Sequence, residues 1–344
     1  QICLGDTAEL IATGGNIYNW SGINIINTSN DSALAFPSDT MNYVVEVTDS
    51  NACVLTDTMT VVFNPLPVID AGLNREICIF DTTLLVASGG INYTWTPSNS
   101  LSNSNNDSSF AWPIDTTMYT VQVTDTNGCI NVDSVVITVN PLPIVDAGVS
   151  RQICAGDTAQ LIATGGNTYV WTPALNLSNP NSSSTDAWPT DTTMYVVQVT
   201  DSNTCFSQDS IEITVNPLPV AYAGLDVQIC TFDTTKLIAT GGDIYSWTPT
   251  DSLASPVNDT TLSWPSDTTI YTVQVTDSNF CVNWDSVSVI VNPLPLVDAG
   301  INRQICIFDT TLLVASGGIN YTWTPANSLS NSNNDSSFAW PIDT

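Results

Sequence analysis

Apolar and polar positions alternate strictly over Tyr119–Asp125 (YTVQVTD), and the alternation returns at residues 43–49, 195–201 and 271–277. A period of two predicts a strand with one face buried and one exposed. Ala71–Pro143 shows what surrounds it. The pattern predicts an irregular lead strand over Ala71–Ile77 and a second strand over Thr82–Ser88, closed by Gly89-Gly90. A short third strand, Tyr93–Trp95, ends at Thr96-Pro97, and Asn99–Ser109 reads as a polar loop. Phe110–Pro113 forms a strand edge, Thr126–Gly128 turns, Val132–Val139 returns, and Asn140-Pro141-Leu142-Pro143 ends the run. No stretch carries the spacing of an amphipathic helix.

That order recurs. QICAGDTAQLIATGG at Gln152–Gly166 has relatives at Gln1–Gly15, Glu76–Gly90, Gln228–Gly242 and Gln304–Gly318. Their cysteines are spaced 75, 76, 76 and 76 residues apart, so the chain is an array of equal units. The expected domains are 1–67, 68–143, 144–219, 220–295 and an incomplete 296–344. Linkers at Asn64–Pro67, Asn140–Pro143, Asn216–Pro219 and Asn292–Pro295 all read NPLP. Two prolines one residue apart keep such a linker extended and semi-rigid, so near-identical junctions are expected. Ile77–Thr116 and Ile305–Thr344 match at 39 of 40 positions, which points to duplication of a block of three repeats.

About seven short strands per unit, with frequent turns, predict an all-β chain: a tandem array of antiparallel β-sandwich domains forming a rod or filament. Two details favour an immunoglobulin-like arrangement. A tryptophan sits mid-strand at Trp20, Trp95, Trp171, Trp247 and Trp323, where a sandwich needs a large filler between sheets. A tyrosine (Tyr43, Tyr119, Tyr195, Tyr271) opens the penultimate strand, as in a tyrosine corner. A second set of aromatics, Trp112, Trp188, Trp264, Trp340 and Phe36, is also read as structural.

Charge narrows the partners. The net charge is −29, with Arg75, Arg151, Lys236 and Arg303 the only basic residues. Nucleic acid and anionic lipid both need clustered Lys and Arg, so neither is expected as a partner. The apolar runs are strand-length, so no membrane insertion is expected. Lys236 as the lone lysine also rules out a Lys–Asn isopeptide staple in every unit.

Nine cysteines fall two to a unit: Cys3, Cys78, Cys154, Cys230 and Cys306, then Cys53, Cys129, Cys205 and Cys281. There is no histidine and no CxxC, so zinc and thioredoxin-like readings fail. Regular pairs in small domains point to disulfides and an oxidising, extracellular compartment. Pairing within units (Cys3–Cys53, Cys78–Cys129, Cys154–Cys205, Cys230–Cys281) is favoured because every complete unit carries its own pair; Cys306 would then be unpaired. The rival joins neighbours: Cys3 to Cys129, Cys78 to Cys205 and Cys154 to Cys281.

The pattern IC-x-G-D-T-x-x-L-x-A-T-G-G … Y-x-W-T-P … D-T-T-x-Y-x-V-x-V-T-D-x-N-x-C resembles the immunoglobulin-like and PKD-type repeats of large secreted surface proteins of Bacteroidota. The WDFGDG signature of PKD domains is absent. The resemblance implies an adhesin, gliding-associated or fibre-type protein. It also implies O-glycans on Asp-Ser/Thr triplets, placing candidates at Thr7, Ser32, Thr40, Thr58, Thr82, Thr116, Thr158, Thr192, Thr234, Thr268 and Thr310. The competing reading of those pairs is turn chemistry, the Asp side chain bonding its own backbone.

With no histidine and one lysine there is no nucleophilic triad, and no phosphate loop is present. No catalysis is expected and no cofactor is implied. Calcium at the junctions would use Asp70, Asp146 and Asp298, but Tyr222 takes that position in the fourth unit, and turns are the favoured role. The expected function is the shaft of a secreted or surface filament, self-associating or continuing in a longer chain. The alternatives are a stalk that projects a distal adhesin domain, or a carbohydrate-binding accessory region that meets surface glycans.

Overall fold

The computed structural model describes residues 1–342; Asp343 and Thr344 lie outside the described residues. The chain divides into two compact units, Gln1–Val149 with Gln160–Ala187 and Met194–Ile211, and Ser150–Ala159 with Trp188–Thr193 and Glu212–Thr344. The described residues form strands and turns throughout, with no helix.

The second repeat, in the first unit, shows how the alternation becomes a sandwich. Its strands are Arg75–Cys78, Thr83–Val86, Asn92–Thr96, Ser108–Ala111, Thr117–Thr124 and Ile130–Asn140. The alternating strand Thr117–Thr124 lies between Asn92–Thr96 and Ile130–Asn140, antiparallel to both. The lead strand Arg75–Cys78 then pairs with the far end of Ile130–Asn140, in parallel. The facing sheet is one antiparallel pair, Thr83–Val86 with Ser108–Ala111, extended by the bridges Asp70↔Ser88 and Leu101↔Ala111. The fourth repeat, in the second unit, repeats this arrangement with its own parallel lead strand.

The inward positions of both sheets make the core: Leu85, Ala87, Trp95, Ala111, Tyr119, Val121, Val123, Val135 and Ile137, with Ala71. Corresponding clusters form around Trp20 and Tyr43 and around Trp247 and Tyr271. The expected immunoglobulin-like sandwich is therefore present, with three refinements. Six strands and two bridges replace about seven strands. One pair is parallel. The lead strand starts at Arg75, because Ala71 to Asn74 carry the turn that Asp70 and Gly72 close.

The two sets of aromatics separate. Trp20, Trp95, Trp171 and Trp247 are buried, whereas Trp112, Trp188, Trp264 and Trp340 keep 41–46% of their surface exposed. The reason is register. In Ser108–Ala111 the inward residues are Ser109 and Ala111, so Phe110 and Trp112 take the outward phase. The inner tryptophans also tie down the polar loop, the Trp95 indole N–H donating to the Asn106 carbonyl at 3.0 Å.

The Gly-Gly turn has two separate jobs. Gly89 has φ +110, and a Cβ there would clash with the carbonyl oxygen of Val68, the residue that follows the linker. Gly90 sits against Val123 and the Thr124 carbonyl, and its own carbonyl accepts the Tyr93 hydroxyl at 2.9 Å.

Candidate functional site

One construction recurs at three junctions between repeats. At the close of the first repeat, Ile2–Cys3 pairs in parallel with Phe63–Asn64, which sets Cys3 beside Asn64 at the start of the NPLP linker. The linker crosses to the second repeat, where the Asn131 side-chain amide donates to the Pro67 carbonyl at 3.0 Å. Asn131 lies two residues beyond Cys129, so the two cysteines meet. The structure bonds Cys3 to Cys129 with their Cα atoms 5.5 Å apart.

The same construction recurs twice. Cys78 pairs in register with Asn140 and bonds Cys205. Cys154 pairs in register with Asn216 and bonds Cys281, with the Asn283 amide on the Pro219 carbonyl at 2.9 Å. The Cys78–Cys205 junction has Ser207 in place of the asparagine.

Within-repeat pairing, the favoured expectation, is thus corrected, and Cys53 and Cys230 are free thiols, as is Cys306. The cause is the length of one strand. Cys129 immediately precedes Ile130–Asn140, and Cys78 lies beside Asn140 at its other end. Eleven residues at about 3.3 Å each hold the two apart by roughly 36 Å, whereas a disulfide needs Cα atoms within about 7 Å. The three bridges span 126, 127 and 127 residues, so each skips from one repeat to the next.

Aspartates shape both cysteine turns. On the second-cysteine side, the Asp125 carboxylate accepts the N–H groups of Asn127 and Cys129, both at 2.8 Å. Asp49, Asp201 and Asp277 do the same for their turns. Backbone donation from Cys53, then from Asn51, holds the Asp49 carboxyl below its ordinary value. On the first-cysteine side, the Asp6 and Asp157 carboxylates accept from the Cys3 and Cys154 N–H groups. Glycine takes the left-handed position of that turn at Gly5 and Gly156, and an exposed phenylalanine takes it at Phe80 and Phe232.

A further aspartate holds the chain just past the linker. Asp133 accepts the Ala71 N–H at 2.8 Å, and Asp209 and Asp285 likewise hold Ala147 and Ala223. Sequence reasoning passed over these residues and Asn131. Their signal was present, since an aspartate recurs four residues after each second cysteine. Asp70, Asp146 and Asp298 turn their carboxylates to the N–H groups of Gly72, Gly148 and Gly300 at 2.8 Å. Among the described residues, no group of three His, Cys, Asp or Glu is placed to hold a metal ion.

A shallow crevice opens beside two of the bridges. One, of about 250 Å³, is lined by Cys78, Asp81, Thr82 and Asn203 among others. The other, of about 320 Å³, is lined by Cys154, Asp157, Thr158 and Asn279 among others. Of the glycosylation candidates, Thr7, Thr40, Thr58, Thr82, Thr116, Thr158, Thr192, Thr234, Thr268 and Thr310 are exposed and Ser32 is half-buried. The Thr40, Thr116, Thr192 and Thr268 hydroxyls also accept the N–H of Phe63, Val139, Val215 and Val291, so they pin the last strand of their repeats.

The corner tyrosines are buried, and burial pushes the Tyr43, Tyr119 and Tyr195 hydroxyls above their ordinary value. Their partners differ from those of a tyrosine corner, which lie a few residues upstream. Tyr43 donates to the Ile23 carbonyl and Tyr271 to that of Asp251, each 20 residues back. The Tyr119 hydroxyl has no hydrogen-bond partner.

No family model matches the chain, and no curated protein matches it. Among solved structures it is similar to Sidekick-1 immunoglobulin domains 1–5, at 14% identity and TM-score 0.27, over 85% of this chain and 78% of that one. It is also similar to the N-terminal eight immunoglobulin domains of Down Syndrome Cell Adhesion Molecule, at 13% identity and TM-score 0.28, over 99% and 55%. Extracellular domains 3–5 of Drosophila OTK match at 11% identity and TM-score 0.28, over 66% and 95%. Likenesses this weak carry no argument, and the immunoglobulin-like assignment rests on the sheets and cores described above.

Proposed function

We propose that this chain is a structural, non-catalytic repeat region of a secreted or cell-surface filament, in which domains bounded at the NPLP linkers (1–67, 68–143, 144–219, 220–295 and 296–344) act as building blocks. One observation carries the reading: three junctions are each closed by a disulfide between neighbouring repeats. A tether that only spaces a distal domain needs no such closure. A shaft that bears tension does, because each bridge lets load pass beside the fold of a repeat instead of through it. Disulfides belong to oxidising compartments, which supports an extracellular location. The exposed Asp-Thr sites would carry O-glycan if the likeness to Bacteroidota surface repeats extends to modification.

The test is electron microscopy of the oxidised protein over a range of concentrations. Uniform fibres support the filament; dispersed particles at every concentration sink it and leave the stalk of an adhesin. A second reading has its own observation, the half-exposed tryptophan on each repeat from the second onward. Such rings can stack on sugars, as in a carbohydrate-binding accessory region. A glycan array on which Trp112→Ala and Trp264→Ala variants bind as well as the parent would remove that reading.

A further inference from the structure

We infer that the disulfides turn the linear polypeptide into a covalent ladder in which the linkers are dispensable for holding the chain together. The inference rests on the pairing alone and stands apart from the filament reading. Its two rails follow from connectivity. One runs from Cys3 across its bridge to Cys129, along the backbone to Cys154, across to Cys281 and on to Cys306. The other runs from Cys53 along the backbone to Cys78, across to Cys205 and on to Cys230.

The rail segments 53–78, 129–154 and 205–230 hold the last strand, the NPLP linker and the lead strand of the next repeat, and 281–306 holds the last strand and the linker. The remaining stretches, 4–52, 79–128, 155–204 and 231–280, join one rail to the other as rungs. They contain the strands that carry the buried tryptophans and tyrosines. The part of each repeat that folds is therefore a different part from the one that lies on the direct covalent line.

A consequence separates this pairing from the within-repeat one. Every peptide bond between Cys3 and Cys281 lies on a closed ring, so no single backbone scission there divides the molecule. Cutting all three linkers that lie inside this span also leaves one covalent piece, because each bridge reaches over the linker. Within-repeat bridges would leave every linker as a single point of failure. The slack in a rail is small as well. Between Cys129 and Cys154, Ile130–Asn140 and most of Arg151–Cys154 are already extended strand.

The sequence supplies its own test, because trypsin cuts only after Arg75, Arg151, Lys236 and Arg303. Arg75, Arg151 and Arg303 fall in rail segments and Lys236 falls in a rung. The oxidised protein is treated with iodoacetamide to block free thiols, digested in urea, and its mass read before and after dithiothreitol. The expected species before reduction joins residues 1–75, 76–151, 152–236 and 237–303, with only 304–344 released. Reduction, which converts each disulfide to two thiols, should then give five peptides and prove that every site was cut. Release of 1–75 or 76–151 before reduction overturns the ladder. The label is a second readout: Cys53, Cys230 and Cys306 should carry it, whereas label confined to Cys306 restores the within-repeat pairing. Because a single denatured chain is read, failure to form fibres leaves this result untouched, and the reverse holds too.

Discussion

Ile77–Thr116 and Ile305–Thr344 are the same sequence but for Ser98 and Ala326, yet over the described residues they do not fold alike. In the second repeat Leu85 and Trp95 are 1% exposed, and Arg75–Cys78 and Asn92–Thr96 are strands. In the fifth, Leu313 and Trp323 are only half-buried, and the stretches around Cys306 and Trp323 are not strands. What survives there is local. The hairpin Thr311–Val314 with Ser336–Ala339 keeps its register, the Trp323 indole still donates to the Asn334 carbonyl at 2.9 Å, and Tyr321 still closes on Gly318. The stretches that differ are the ones that, in the second repeat, pair with Thr117–Thr124 and Ile130–Asn140. The hairpin, its loop and the Gly-Gly turn are specified by these forty residues themselves. The lead and tryptophan strands are specified by their partners.

The most drastic way to break the contrast is to take the partners away from the second repeat. A chain ending at Thr116 should lose the strands Arg75–Cys78 and Asn92–Thr96. Trp95 fluorescence should shift to the red, and the amides of Tyr93 to Trp95 should lose hydrogen-exchange protection of about a hundredfold or more, since sheet amides open only with larger units of structure. Unchanged exchange would mean that the local sequence, and not the partner strands, sets the difference. A smaller effect comes from removing the ring that the partners cover. Trp95→Ala should cost about 3–5 kcal/mol in its repeat, read as loss of dispersed methyl resonances for Leu85 and Val121. Trp323→Ala, at a site already half open, should move Leu313 far less.

This contrast also explains what could be read from the sequence and what could not. The alternation at Tyr119–Asp125, the Gly-Gly turn and the buried Trp95 are one-dimensional patterns, and each appeared where the pattern put it. The disulfide pairing is a distance between residues set by the length of Ile130–Asn140 and by a parallel pairing with Arg75–Cys78. No local pattern encodes that pairing, so the bland count of two cysteines per repeat favoured the wrong partner. The outward phase of Trp112 was legible in principle, since it follows Phe110 by two positions and Ala111 by one. Residue type alone gave that ring a structural reading without assigning it a face.

Alkali should sharpen the contrast more gently. The Tyr43, Tyr119 and Tyr195 hydroxyls are held neutral by burial, while the unfolded chain ionises near 10.0. A folded value raised above the unfolded one gives stability that is fully present below about pH 10 and lost as pH rises through the folded value. Methyl resonances of Leu85 and Val121 in the second repeat should therefore collapse above that pH before the Leu313 resonance moves. Equal loss at all three would show that the buried tyrosine does not set the alkaline limit of its repeat.

The finest effect divides a tyrosine's ring from its hydroxyl. Tyr43 and Tyr119 occupy the same position and are both fully buried, but Tyr43 donates to the Ile23 carbonyl at 2.9 Å while the Tyr119 hydroxyl has no partner. Tyr43→Phe breaks a hydrogen bond and should lower the stability of its repeat by about 1 kcal/mol. Tyr119→Phe removes a polar atom already buried without compensation, and should be neutral or slightly stabilising. Local hydrogen exchange at Val45 and Val121 reads the two repeats separately. If the two substitutions cost the same, the ring alone is what the core uses at both sites; a cost at Tyr43 alone means that the first repeat depends on a contact the second does without.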